Sequence, residues 1–107
     1  MDRHARIDVF SLAAHRLALT RLREQPTRLA EALDVLDRWR ERAGRASHSD
    51  PYWDEWERLL HAGVDAVESA ACAATSHGAT LRSVSPLGRF ISVTERSSLL
   101  RQALEAA

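Results

Sequence analysis

Residues 81–101 read LRSVSPLGRFISVTERSSLLR, and the fold turns on how this stretch is parsed. Ser85-Pro86 interrupts any helix arriving from upstream, because proline has no N–H to donate and its ring pushes the preceding residue out of the α region. Gly88 frees the backbone two residues later. Leu87, Phe90 and Ile91 therefore ride on a turn, three large apolar side chains where regular helix is not expected. Ser92-Val93-Thr94-Glu95 then matches a capping box. In that motif the Ser92 hydroxyl accepts from the Glu95 N–H, and the Glu95 carboxylate accepts from the Ser92 N–H. A final helix follows over 93–106, with Leu99, Leu100, Ala103 and Leu104 on one side. Two uses of the apolar turn are open. Either the three side chains plug the protein's own core, or some of them dock in another protein, as loops held on rigid elements commonly do.

Upstream of this turn the pattern is helical throughout. Ile7, Phe10, Ala14, Leu17 and Arg21 recur at helical spacing, with Ala13, Ala18 and Leu22 widening the stripe, so the chain opens on one long helix ending near Glu24. Leu12 and Leu19 stand off that stripe, seven residues apart; they offer a contact line to a second copy of the chain, or are half-exposed. Pro26 suits the first turn of a second helix that runs to about Ala43, with Leu29, Ala32, Leu33 and Leu36 inward and Gly44 as its cap. GRASHSD, over 44–50, reads as a loop, and Asp50-Pro51 restarts helix. Trp39, Tyr52, Trp53 and Trp56 are expected to pin the second helix to the third, since large rings dominate small cores. Gly63 breaks the third helix, an alanine-rich helix spans 64–75, and Ser76 is the expected cap of a short helix over 77–84.

The fold expected is all-α and a single domain over 1–107. A long helical hairpin (1–43) leads into shorter helices and the Pro/Gly turn before the last helix (50–107), about five helices in all. Its 107 residues suffice for one modest core.

Fifteen basic residues balance fifteen acidic ones, so no global field draws the chain to nucleic acid or to a membrane surface. All fifteen cations are arginine, the side chain best shaped for carboxylate and phosphate partners. Arg3, Arg6, Arg16, Arg21, Arg23 and Arg28 make a local basic excess that offers DNA contact, without a helix-turn-helix pattern to frame it. The lone Cys72 excludes an internal disulfide. No apolar run approaches the roughly 20 residues of a membrane span, and nothing reads as a signal peptide, so a soluble cytoplasmic protein is expected.

Catalytic chemistry is hard to find. The histidines at positions 4, 15, 48, 61 and 77 make no H-x-x-x-H pair, and there is no nucleophile elbow, phosphate loop or dinucleotide fingerprint. Cys72 has no basic neighbour in sequence to lower its pKa. The expectation is a protein that is not an enzyme and needs no cofactor or metal.

Taken whole, residues 81–101 resemble the C-terminal signature of small bacterial antitoxin-like proteins, which are commonly encoded beside a toxin gene. Leu81-Arg82, Ser85-Pro86, Ile91, Glu95-Arg96 and Leu99-Leu100-Arg101 fit that signature without a gap. Leu87 stands where it has phenylalanine, Arg89 where it has glycine, and Ser97 where tryptophan is frequent. Residues 22–39 and 50–60 resemble the same proteins more loosely. The resemblance implies a cognate toxin partner of nucleotidyltransferase or nuclease type, neutralised by occlusion of its active site. Leu87, Phe90 and Ile91 would enter an apolar groove of the toxin, with Arg82, Arg89, Glu95 and Arg96 as the polar rim. Apart from the resemblance, two alternatives stay open: a helical scaffold or adaptor protein that dimerises through the first helix, and a DNA-contacting regulator using the Arg-rich N-terminal half.

Overall fold

The computed structural model describes residues 2–44 and 50–105; most of the expected 44–50 loop, with His48, lies outside them. Among the described residues there are six α-helices and no strand. They are α1 (Arg3–Glu24), α2 (Leu29–Ala43), α3 (Asp50–Ala62), α4 (Val64–Ala71), α5 (Ser76–Ser83) and α6 (Val93–Glu105). Single 3₁₀ turns, Pro26–Arg28 and Gly88–Phe90, precede α2 and α6. The class is as expected, and the count is six rather than about five. Gly63 separates α3 from α4 with φ of +114°, a conformation that side chains other than glycine rarely adopt.

α1 is the spine. It packs against α4, α5 and α6 and touches both 3₁₀ turns. Its buried face is Ala14, Ala18, Leu19 and Leu22, so the apolar stripe becomes core only from its middle onward, and Ile7 stays 46% exposed. Leu19 is a core residue. The Leu12/Leu19 line is therefore not available to a second copy of the chain in this fold: the bundle's own interior has taken one of its two anchors.

α2 and α3 are joined by the aromatics. The Trp39 and Trp53 ring centroids lie 5.8 Å apart, tilted at 43°. Arg40 reinforces the seam from outside, donating to Asp54 at 2.8 Å and to Glu57 at 3.3 Å. Trp56 is wholly buried, and its indole N–H donates to the Leu81 carbonyl at 3.0 Å. That bond ties α3 to the end of α5 and satisfies the ring's one polar atom.

α4 ends at Ala71, earlier than expected, with Cys72 as its C-cap. Thr75, not Ser76, caps α5, its hydroxyl accepting from the Gly78 N–H at 3.0 Å. Gly78 has a steric role: a Cβ there would sit 2.4 Å from the Ala73 carbonyl oxygen. The backbone of α5 thus presses directly on the α4–α5 connection. No described helix is long and apolar enough to cross a membrane.

Candidate functional site

The Pro/Gly turn folds inward. Leu87 is 1% exposed, Phe90 3% and Ile91 9%, and all three belong to one core cluster with Leu22, Leu36 and Trp56. Of the two uses open to the turn, these side chains take the first and plug the protein's own core. Three large apolar side chains packed into the bundle's core cluster gain more there than by facing water. Each fully buried side chain of this size is worth about 1.5–3 kcal/mol.

Two arginines hold the turn shut. The Arg21 guanidinium donates to the Phe90 carbonyl at 2.6 Å and to both carboxylate oxygens of Glu95, one at 2.7 Å. Arg28 lies over the Phe90 ring at 5.0 Å and donates to Glu31 at 2.7 Å. Arg89 reaches the same Glu31 at 3.1 Å, so it is an intramolecular partner and not a free rim charge. The capping box closes as its motif requires: the Ser92 N–H donates to Glu95 at 2.9 Å, and the Glu95 N–H donates to Ser92 at 3.1 Å. The Arg21 hydrogen bond, followed by the Ser92 backbone N–H, holds the Glu95 carboxyl down at about 2.

Arg82 is likewise not on a rim. It is 6% exposed and donates to the carbonyls of Ala71 at 2.7 Å and Ala73 at 3.1 Å, and to Asp8 at 2.6 Å. A guanidinium thus satisfies the carbonyls left over at the end of α4, which have no partner within the helix. Of the seven residues expected to meet a partner, only Arg96 keeps an exposed head with no ion pair among the described residues; it lies across Gly88. The basic excess offered to DNA is also partly spent internally. Arg21 pairs with Glu95, Arg23 with Asp65 and Glu68, and Arg28 with Glu31.

Behind the turn is a half-open pocket of about 240 Å³ between α1, the end of α5 and the start of α6. Its lining mixes apolar Phe10, Ala14, Leu87 and Ile91 with polar His15, Arg82, Ser85 and Arg96. His15 is 8% exposed and stacks on Trp56, ring centroids 6.4 Å apart. Its Nδ1 donates to the Ser11 carbonyl at 2.7 Å, which leaves Nε2 as an acceptor without a partner. The Arg82 Nε–H is a donor without one. Burial first, then the charges of Arg82 and Arg96, push the His15 pKa down, against the pull of the Ser11 carbonyl.

Sequence reasoning passed over His15, although its position beside Ala14 on the inward stripe and four residues after Ser11 carried the signal. Among the described residues no group of three His, Cys, Asp or Glu side chains is placed to hold a metal ion. Cys72 is half-buried, and burial pushes its thiol up, away from nucleophile chemistry. Comparison with family models, with curated proteins and with solved structures gives no match for this chain.

Proposed function

We propose that the chain is an antitoxin-like binding protein that neutralises a toxin enzyme by covering its active site, and that α6, not the apolar turn, is the element that docks. The observation carrying this reading is a stripe on α6. Val93, Leu100 and Leu104 are 82%, 38% and 48% exposed. They fall at i, i+7 and i+11, one line along a helix. The neighbouring line, Leu99 and Ala103, is already turned inward, and α1 is the main support of α6. The helix therefore carries more apolar surface than its own anchoring uses, the pattern of a helix that lays its outer face in a partner's groove.

The resemblance to antitoxin-like proteins sorts along the same line. Leu81, Pro86, Ile91 and the half-buried Glu95 are consumed in holding the turn, whereas Leu100 and Arg101 face solvent. The first group maintains the fold, and the second is left for recognition.

The test is co-expression with the product of the adjacent gene. Leu100→Ser with Leu104→Ser should abolish both co-purification and protection of the cell, with unchanged helical circular dichroism. Full protection by a folded double variant would remove α6 as the inhibitory element.

A further inference from the structure

We infer that the pocket behind the turn is a binding site for a small organic monoanion, a carboxylate carried on a compact apolar body. The inference does not rest on the toxin-binding reading, although the two sites adjoin at Arg96, which stands three residues after Val93 and four before Leu100 on α6.

The charge count sets the anion. Two guanidinium groups line the pocket, and Asp8 already neutralises Arg82 at 2.6 Å. Burial disfavours the charged form of His15, so the ring adds little to the positive charge here. Arg96 lines the pocket with no ion pair among the described residues, its terminal nitrogen close enough to Gly88 that a Cβ there would lie 3.2 Å away. One positive charge matches one carboxylate, which guanidinium pairs with two parallel N–H bonds. The Ser85 hydroxyl accepts from the Leu87 N–H at 3.1 Å and keeps its own proton free to donate.

The walls set the rest of the ligand. Phe10, Ala14, Leu87 and Ile91 give an apolar lining that bare phosphate or sulfate has no means to use. The volume, about 240 Å³, lies below the usual 300–1,000 Å³ range of ligand pockets and suits a fragment-sized molecule. His15 and Arg82 both line the pocket, but their unpaired atoms, Nε2 and Nε, are buried away from it, so the site rests on Arg96, the Ser85 hydroxyl and the apolar lining.

Benzoate is a suitable probe, with benzyl alcohol as its neutral counterpart and inorganic phosphate as an anion lacking the apolar body. Titrated into the full chain and followed by amide and imidazole NMR, benzoate should shift His15 and residues 85–91. Benzyl alcohol should bind at least tenfold more weakly. Arg96→Gln should weaken benzoate at least tenfold, and Arg101→Gln, outside the pocket, should leave it unchanged. Equal binding of benzoate and benzyl alcohol would overturn the site, as would phosphate binding as well as benzoate, shifts confined to other residues, or no shift at all. If Arg96→Gln does not fold, the three-probe comparison on the native chain still decides.

Discussion

Arg21 and Glu95 stand 74 positions apart in the chain and meet as a two-point ion pair, the guanidinium also holding the Phe90 carbonyl. The pair joins the spine helix, the turn and the start of α6 in one contact. It also puts Glu95 in two roles at once, since the same carboxylate completes the capping box through the Ser92 N–H. Through that double use the Glu95 side chain helps hold the fold together.

The first prediction follows from that double use. The Glu95 carboxyl is held at about 2, below its ordinary 4.5. A carboxylate with a lowered folded-state pKa contributes stability that is fully present above its unfolded value and is lost as pH falls toward the folded one. Acid unfolding of the native chain should therefore show a component between about pH 4.5 and pH 2. Glu95→Gln should be less stable at neutral pH and should lack that component in a urea midpoint series against pH. An identical acid profile in the variant would mean the pair contributes nothing.

Substitutions in the turn should destabilise the whole fold, not merely blunt an interaction. Phe90→Ala removes a ring that is 3% exposed, and such core truncations cost about 3–5 kcal/mol. Against a total stability of about 5–15 kcal/mol for a domain, that is a large share. Thermal melts should show a marked fall in Tm for Phe90→Ala and Leu87→Ala. A variant that keeps the native Tm would place the turn outside the core after all.

Gly78→Ala is a sharper case, because helix propensity and sterics disagree. Alanine gains up to about 1 kcal/mol over glycine inside a helix. The new Cβ would sit 2.4 Å from the Ala73 carbonyl, a contact that needs backbone to move. Overpacking of this kind costs about 1–3 kcal/mol, so the clash should win and the melting temperature should fall. A rise in Tm would show that the α4–α5 connection gives way freely.

His15 supplies a second pH signature. Its pKa is lowered from 6.5 by burial, with Arg82 and Arg96 adding to the effect. The unfolded chain takes up the proton first, so stability should fall as pH drops below about 6.5 and level off below the folded value. An imidazole proton titration by NMR should place His15 below 6.5, and His15→Leu should flatten this limb. A normal titration would mean the ring is open to solvent.

Much of this architecture was legible before any coordinates. Pro86, Gly88 and the Ser92/Glu95 box marked the turn and the start of α6, and Arg21 already sat on the inward stripe of α1, where an arginine needs a partner. The aromatics at Trp39 and Trp53 located the α2–α3 seam, whereas Trp56, expected there too, ties α3 to α5 and α1. The direction the turn faces was not legible, because a proline-glycine break says where a helix stops and is silent on whether a cavity waits beneath it. The same holds for Arg82, which looks like a surface cation in sequence and is absorbed by carbonyls at the end of α4. Thr75 and Ser76 are equally good caps by residue type, and only the path of the backbone into Gly78 selects the first.

The inward turn has a consequence for how the protein is made. Leu87, Phe90 and Ile91 close a core whose walls, α1 to α4, are synthesised before them. A nascent chain arrested ahead of residue 85 would hold its helices around an unfilled apolar cleft, greasy and open to whatever passes, until the stopper emerges from the ribosome.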